Sequence, residues 1–328
     1  MFDETTTVWC RKRRIIGPSE FHALRTNRAG LPVCLPFNDS CWRLWFSVFN
    51  EWGQAGALCV DIDPSNDMRI LAVHECPGLE RGREGAFDSA GLMPSSVIAV
   101  DDRILMWYTG MRLRQDLPFE DAIGLAMSED GGMSFQKVSE TPVLAAGPEG
   151  AALALIPMVV RHAKSFEMWY SCGTRWTSYE GHLNPQYNLR RAHSPDGVQW
   201  TVNALREYGM CTAVRPYIDT SGQPELFFSA RGTNRFREPH SGEAYHLYRA
   251  SLDNNIIQPA TVRPVNFVPA PEPEDWDSWM QAYCCVVPFR NTRVMFYTGN
   301  EFGRTGFGYA VEVPLDKQNK VPVAPPHD

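Results

Sequence analysis

The hydrophobic positions of this chain recur in one pattern along its whole length. One aliphatic residue is followed by two aromatic residues and then by a serine or threonine, which is typical of a half-buried β-strand. The five copies are residues 44–47, 106–109, 168–171, 226–229 and 295–298. Their final hydroxyl residues are 62, 62, 58 and 69 residues apart. This even spacing predicts an internal repeat.

Each aromatic segment is flanked by two further predicted strands. The segments before it are short and rich in small or special residues, which suits a crowded place where several strands meet. They are residues 21–26, 91–94, 154–157, 213–216 and 281–284. The segments after it are residues 57–62, 122–128, 189–194, 247–251 and 307–311. Two of these run into Asp-Gly turns at 130–131 and 196–197, and such hairpin signals predict a fourth, outer strand.

The repeat predicts an all-β fold, a five-bladed β-propeller with four antiparallel strands in each blade. The blades start near residues 20, 87, 150, 209 and 276, so one domain spans 1–320, and 321–328 form a loose tail. In a propeller the first strand of each blade lines a central channel. Side chains on these strands and their leading loops are therefore expected to converge on one funnel.

Acids, a histidine and an excess of arginine are predicted to face this funnel. We predict Asp88, Asp277 and His22 as catalytic residues, because paired carboxylates and histidine supply general acid and base catalysis. The arginines favour an anionic ligand such as a phosphate, a carboxylated sugar or a nucleotide-sugar. The predicted binding residues are Arg25, Arg175, Trp176, Arg215, Arg231, Trp279, Asn300 and Arg304.

Most of these residues also have a structural interpretation. A channel arginine can pair with a channel carboxylate and fix the blades. Asp88 can be a turn residue, His22 a hydrogen-bonded structural histidine and Asp277 the cap of a loop. The two tryptophans can belong either to the core or to the rim of the funnel, where they would stack on a sugar.

Composition narrows the class of protein. The chain is 44% hydrophobic and carries a net charge of −7, and its basic run at 11–14 is more typical of a solvated face than of a nucleic-acid site. We find no apolar run that would span a membrane and no signal-peptide pattern at the N-terminus. Nine cysteines without metal-ligand spacing indicate buried free thiols. We therefore expect a cytoplasmic protein that binds neither nucleic acid nor membranes and holds no zinc.

Several motifs give the chain a resemblance to a known group. They are HA at 22–23, FDSAGLMP at 87–94, RP at 215–216 and YTGNEFGRTGFG at 297–308, together with the Asp-Gly hairpins. The chain resembles a bacterial group related to the five-bladed β-propeller glycosidases, a superfamily of arabinanases, xylosidases, invertases, levansucrases and mannoside phosphorylases. The resemblance covers nearly the whole chain. It implies hydrolysis or transfer at a glycosidic bond by two or three funnel carboxylates, of which Asp88 matches the acid of the second blade.

The chain departs from the group's pattern in its first and fifth blades, and its third blade has no acid within the inner strand. The first blade reads HALRT at 22–26 where the group has HAQxP, and Trp279 stands where the group has an acid. The sequence therefore supports two hypotheses. The first is a carbohydrate-active enzyme that cleaves or transfers a glycosyl group on an anionic or phosphorylated sugar. The second is a non-catalytic propeller that binds a glycan or a protein partner.

Other chemistry on the same fold, such as that of a lyase or an isomerase, is a third alternative. The sequence contains no nucleotide-binding glycine loop and no nucleophile elbow, and we predict no cofactor. A divalent cation in the channel is compatible with the resemblance, but the sequence indicates no ligands for it.

Overall fold

The computed structural model describes residues 7–147, 151–203, 214–219, 224–254 and 256–314, with the backbone alone at 214 and 215. These residues are nearly all in β-structure. The strands are β1 (Thr7–Ile16), β2 (Arg28–Asn38), β3 (Cys41–Phe49), β4 (Ala55–Asp63), β5 (Arg69–Glu75), β6 (Gly91–Val100), β7 (Arg103–Arg112), β8 (Glu120–Ser128), β9 (Gln136–Lys137), β10 (Ala154–His162), β11 (Ser165–Tyr179), β12 (His182–Ser194), β13 (Thr201–Val202), β14 (Val214–Asp219), β15 (Glu225–Ala230), β16 (His246–Asp253), β17 (Ile256–Ile257), β18 (Arg263–Pro264), β19 (Phe267–Val268), β20 (Ala282–Phe289), β21 (Thr292–Thr298) and β22 (Phe307–Pro314). Short helical segments are α1 (Pro18–Phe21), a 3-10 turn (Pro259–Thr261) and α2 (Asn300–Gly303).

These strands pair in successive antiparallel meanders. The first four are β2 to β5, β6 to β9, β10 to β13 and β14 to β17. The fifth contains β20, β21 and β22, and the N-terminal strand β1 completes it by pairing with β22. One parallel pair, Ala55 with Gly91, joins the first two meanders into an eight-stranded sheet. The predicted all-β class is thus confirmed, and each aromatic segment lies in the second strand of a meander.

The aromatic strands form the core between neighbouring meanders. The residue at the second position of each copy is fully buried. These five residues are Trp45, Trp107, Trp169, Phe227 and Phe296. Two of the indoles also donate hydrogen bonds to the turn of the following meander, Trp45 to the Gly132 carbonyl at 3.2 Å and Trp107 to the Gly197 carbonyl at 3.0 Å. The Asp-Gly turns therefore connect meanders as well as strands.

The hydroxyl that ends each aromatic segment connects one meander to the next. In three copies it accepts a hydrogen bond from a bulged backbone N–H on the inner strand of the following meander. The bonds are Ile156 N to Thr109 Oγ1 at 2.7 Å, Tyr283 N to Ser229 Oγ at 2.8 Å and Leu31 N to Thr298 Oγ1 at 2.9 Å. The three donors have positive φ angles of 49°, 56° and 52°. We call these bonds the hydroxyl staples. Ser47 holds the same position, but its hydroxyl has no partner among the described residues.

The first predicted inner strand, at 21–26, is wrong. These residues form the end of α1 and a turn, and the inner strand is β2, which begins at Arg28. Pro18 favours a first helical turn, and the Gly17 N–H donates to Glu20 Oε2 at 2.8 Å. Arg25 then adopts a left-handed φ of 52°, which ends the turn before the strand starts.

The basic run at 11–14 is also not simply a solvated face. It lies in β1, where the guanidinium of Arg11 is buried against Asp275 and Asp277. Arg13 pairs with Asp67 of the first meander at 3.0 Å. The acids that neutralise these arginines lie far away in the sequence. The local sequence therefore shows only an unpaired basic run and does not predict a buried strand.

Among the described residues no helix is long and apolar enough to cross a membrane. The cysteines within them are free thiols, and no cluster of His, Cys, Asp and Glu in this part of the chain is arranged to hold a metal ion.

Candidate functional site

One cavity of about 260 Å³ lies where all five meanders meet. We call it the central cavity. Equivalent residues of four inner strands line it, namely Leu31, Met93, Ile156 and Tyr283. Three of these are the donors of the hydroxyl staples, so bonds between the meanders fix the wall of the cavity. The repeat that builds the fold therefore also builds the site.

Asp121 is the carboxylate that the described residues contribute to this cavity. It lies at the start of β8, where its backbone N–H donates to the Ala152 carbonyl at 3.0 Å. The side chain is 2% exposed, and its Oδ1 has no hydrogen-bond partner within the described ranges. Burial, with a smaller contribution from Glu120, raises the pKa of Asp121 to about 8. Asp121 is therefore protonated at neutral pH and can act as a proton donor.

Arginines supply the other charges of the cavity. The Arg28 guanidinium lies 4.6 Å from the centre of the Phe49 ring, and its Nε has no hydrogen-bond partner among the described residues. Burial, followed by the neighbouring Arg304, lowers the pKa of Arg28. Burial, followed by Arg231, lowers the pKa of Arg237. Within the described chain neither Arg28 nor Arg237 forms an ion pair, so the cavity has a positive charge that an anion would balance.

Arg231 is held more firmly than the other two arginines. Its Nε donates to the Tyr245 hydroxyl at 2.8 Å, and its Nη1 donates to the Gly232 carbonyl at 2.7 Å. The guanidinium also lies 3.6 Å from the centre of the Phe236 ring. These contacts fix the orientation of the guanidinium, so Arg231 contributes a positioned charge to the wall.

The remaining wall is aromatic. Tyr245 and Tyr283 have ring centres 5.5 Å apart, and Phe302 meets Tyr245 edge-on at 5.9 Å. Burial raises the pKa of Tyr187 and of Tyr283 well above the usual tyrosine range, so both hydroxyls are neutral. An apolar wall with a few positioned polar groups is typical of a site for a small organic ligand.

Asp88 lies away from the central cavity, in a buried brace within the second meander. Asp88 as a whole residue is 2% exposed. Its Oδ2 accepts a bond from Lys137 Nζ at 2.6 Å and lies 3.4 Å from the Tyr108 hydroxyl. Phe87 stacks on the Tyr108 ring with 6.0 Å between ring centres. The carboxylate is thus held by its own meander.

Asp277 has an equivalent brace in the fifth meander. It is fully buried, and it accepts bonds from Arg11 Nε at 3.0 Å and from the Tyr297 hydroxyl at 2.7 Å. Trp276 packs on Tyr297 as Phe87 packs on Tyr108, with 5.0 Å between ring centres. The structure therefore places the two predicted catalytic acids at equivalent positions of the repeat, each with a cation and a tyrosine.

Four other predicted residues are exposed and do not line the central cavity. His22 follows α1, and Arg25 lines a separate outer cleft. Arg175 is exposed on β11, and Arg304 lies 3.8 Å from Glu301 with 63% of its side chain exposed. The side chain of Arg215 lies outside the described residues.

The predicted aromatic and amide residues border the cavity. Trp176 donates from Nε1 to the Ala151 carbonyl at 3.0 Å and packs against the residues that line the cavity, as does Trp279. Asn300 is 5% exposed, and its Oδ1 accepts from the backbone N–H groups of Trp279 and Met280 at 3.1 and 3.0 Å. Of the predicted site residues with described side chains, Arg231 alone lines the cavity itself.

Sequence reasoning missed Asp121, Arg28 and Arg237. Asp121 follows Glu120 at the start of a strand, and two successive acids in a sequence are typical of the polar end of a loop. Arg28 opens β2, which was predicted too early in the chain. One signal was available, because Leu31, Met93 and Ile156 each precede a proline in an inner strand. Aligning the repeats on that dipeptide would have identified part of the cavity wall.

Relatives of this chain occur in Mycobacterium tuberculosis. Uncharacterized protein MT1551 of strain CDC 1551 / Oshkosh is 30% identical over 311 residues, which cover 93% of this chain and 99% of that protein. Uncharacterized protein Rv1502 of strain ATCC 25618 / H37Rv is 29% identical over 310 residues with the same coverage. No protein-family model matches the chain.

Solved structures with a similar fold have low sequence identity to the chain. A complex of BT0996 with RGII has a TM-score of 0.65 at 14% identity, and the match covers 94% of this chain and 92% of the BT0996 structure. A structure from work on the GH130 family of mannoside phosphorylases has a TM-score of 0.63 at 12% identity, covering 95% of both proteins. The GH32 beta-fructofuranosidase BmSUC1 of Bombyx mori has a TM-score of 0.61 at 15% identity, covering 92% of this chain and 61% of BmSUC1. These neighbours are glycoside hydrolase-like propeller proteins, which confirms the predicted resemblance at the level of the fold.

Proposed function

This chain belongs to the same protein family as the two mycobacterial relatives, and we propose that it is a carbohydrate-active enzyme. In this proposal it cleaves or transfers a glycosyl group at the central cavity, with a phosphate-type anion as the reaction partner. The observation that carries the proposal is the buried, protonated Asp121 in a cavity with two arginines that lack carboxylate partners among the described residues.

The composition of the cavity favours an anion over water as the nucleophile. Hydrolysis of a glycoside ordinarily uses two carboxylates, one to protonate the leaving oxygen and one to activate water or attack the sugar. Asp121 can supply the first role, but the described lining contributes no second carboxylate. A phosphate oxygen needs no protein base, and arginines bind phosphate with paired N–H donors. One acid with several arginines therefore suits phosphorolysis and its reverse.

The proposed reaction needs only Asp121, phosphate and the two arginines that hold it. Asp121 donates its proton to the glycosidic oxygen as the bond from that oxygen to the anomeric carbon breaks. A phosphate oxygen held by Arg28 and Arg237 forms the new bond to the anomeric carbon. The products are a sugar phosphate and an alcohol. In the reverse direction the carboxylate of Asp121 accepts the proton of the acceptor hydroxyl, and phosphate leaves.

We propose that the five meanders are the blades of a five-bladed propeller and that the protein is cytoplasmic. The free thiols of the described cysteines fit this location. Catalytic roles for Asp88, Asp277 and His22 stay predictions, and the buried braces around the two acids favour a structural role for both.

Asp121 is tested by a pair of substitutions, one in the cavity and one outside it. The protein is incubated with a panel of glycosyl 1-phosphates and sugar acceptors, and released phosphate is measured. Asp121→Asn should lower the turnover rate about 10²–10⁴-fold, the usual contribution of a general acid or base. Glu129→Gln is the control, because Glu129 is 66% exposed and pairs with Arg103 outside the cavity. Equal turnover in Asp121→Asn and the wild type would refute the assignment of the acid.

The anion site is tested separately by binding. Inorganic phosphate should raise the melting temperature of the wild type, and Arg28→Gln and Arg237→Gln should each weaken that shift. Arg83→Gln is the control, since Arg83 is 78% exposed and pairs with Glu140. A phosphate shift that is the same in all four proteins would contradict the role of the cavity arginines.

The lone described carboxylate also favours a second candidate, a non-catalytic propeller that binds an anionic glycan. This candidate predicts that anionic sugars stabilise the protein, that no substrate of the panel turns over, and that Asp121→Asn binds them as the wild type does.

A further inference from the structure

A second concavity lies next to the central cavity. This outer cleft of about 410 Å³ lies between the β3–β4 hairpin and the segment after β5. Phe49 lines both the outer cleft and the central cavity, with the Arg28 guanidinium over its ring. The side chain of Phe49 thus belongs to the walls of both concavities.

The hairpin loop at this cleft holds an exposed tryptophan. Trp52 is 73% exposed, more than any other large hydrophobic residue in the described chain. The loop is ordered by its own bonds, since Asn50 Oδ1 accepts the N–H groups of Trp52 and Gln54 at 3.1 and 2.9 Å. Asn50 Nδ2 also donates to Gln54 Oε1 at 2.9 Å. The fold therefore does not need the indole for packing. Trp52 does not itself line the cleft, but it lies between Asn50 and Gln54, which do, so its exposed face is available to a ligand bound there.

The charges of the outer cleft differ from those of the central cavity. Two arginines, Arg25 and Arg81, are balanced there by two glutamates, Glu75 and Glu80. Asn50 and Gln54 at the base of the Trp52 loop also line the cleft. A concavity with balanced charges and amide groups suits a neutral ligand with many hydroxyls rather than an anion.

We propose that the outer cleft is a second carbohydrate subsite and that Trp52 stacks on a neutral sugar ring in it. The face of a pyranose that carries C–H groups is apolar and packs on the flat face of an indole, while its hydroxyls bond to side chains such as Gln54 and Glu75. The assignment of this sugar as the distal unit of a chain whose reacting end lies in the central cavity rests on the proposed function. Phe49 marks the boundary between the two units.

The test measures how affinity depends on the length of the sugar chain. Neutral malto-, cello- and manno-oligosaccharides of one to four units are titrated into the full-length protein by calorimetry, with saturation-transfer NMR to identify the bound rings. In one of these series the wild type should bind the longer members at least about tenfold tighter than the single sugar. Trp52→Ala should remove most of this gain, and Trp52→Tyr should retain part of it. Leu71→Ala is the control, because Leu71 is 45% exposed on the edge strand β5.

Each outcome bears on one proposal. A gain with length that is lost in Trp52→Ala and kept in Leu71→Ala supports the second subsite. No gain with length in any series, or an equal gain in Trp52→Ala, overturns it. Thermal unfolding of Trp52→Ala, expected to match that of the wild type, separates a lost contact from a lost fold. Asp121→Asn should keep the gain while losing turnover, so a failure of the catalytic proposal is distinguishable from a failure of the subsite.

Discussion

The hydroxyl staples allow a direct test of how neighbouring meanders hold one another. Thr109→Val removes the acceptor of the Ile156 N–H bond while keeping nearly the same side-chain volume. Ser47→Ala alters the equivalent hydroxyl, which has no hydrogen-bond partner among the described residues. The two substitutions therefore compare the same position of the repeat with and without the bond.

The magnitude follows from the burial of both partners. Thr109 is fully buried and Ile156 is 5% exposed, so water cannot replace the lost acceptor. An unsatisfied buried N–H costs about 1–3 kcal/mol, and Thr109→Val should destabilise the fold by that amount. Ser47→Ala removes a polar group that already lacks a partner and should change the free energy of unfolding by less than about 0.5 kcal/mol.

Urea unfolding followed by tryptophan fluorescence measures both variants. With a slope of about 3 kcal/mol/M, Thr109→Val should lower the urea midpoint by on the order of 0.3–1 M. Thr298→Val, which removes the Leu31 staple, should give a shift of similar size. If Ser47→Ala lowers the midpoint as much as Thr109→Val, the loss comes from removing a hydroxyl at this position and not from breaking the bond to the next meander, and the staple argument is refuted. Phosphate binding should weaken in Thr109→Val and in Thr298→Val but not in Ser47→Ala, because Ile156 and Leu31 both line the central cavity.

Three further predictions follow from other features. Asp121→Asn should stabilise the fold at pH 8 and change its stability little near pH 3. The pKa of the Asp121 carboxyl rises from 3.8 to about 8 on folding, so the wild-type fold loses stability as the pH climbs through that interval. Urea midpoints at both pH values test this. Lys137→Met should destabilise the fold by about 2–3 kcal/mol, because it leaves the Asp88 carboxylate buried without its cation. The double variant Lys137→Met with Asp88→Asn should recover part of this loss. No recovery in the double variant would contradict the pairing of Lys137 with Asp88. Gly132→Ala should lower the melting temperature by several degrees, because Gly132 has a φ of 83° and an added Cβ would lie 2.3 Å from the Trp45 ring. Gly131→Ala has open space at its Cβ and should lower the melting temperature less.

The repeating parts of the fold could be predicted from the sequence because they depend on local patterns. The aromatic segments are strands, their central residues form the core, and the Asp-Gly turns lead to outer strands. The bulges at Leu31, Ile156 and Tyr283 could not be predicted, because a left-handed backbone at these side chains is stabilised by a hydroxyl from another meander.

The site was predictable only in part, since its chemistry depends on contacts between distant residues. An arginine-rich cavity where the meanders meet follows from the repeat, and Arg231 lies there. The burial and the bonding partners of each acid do not follow from the repeat. Asp277 gains its brace from Arg11, which is 266 residues away, and Asp121 gains its raised pKa from burial by several meanders. A sequence shows the types of these side chains but not which of them is desolvated.

The pairing of β1 with β22 has a consequence for biosynthesis. Strand β1 is made early, whereas Asp277, which pairs with Arg11, follows 266 residues later and the antiparallel partner β22 later still. At about 5–20 residues per second, a ribosome needs on the order of 10–50 s to cover that interval. During this time β1 lacks its antiparallel partner strand, so chaperones and proteases can reach it until β22 has been made.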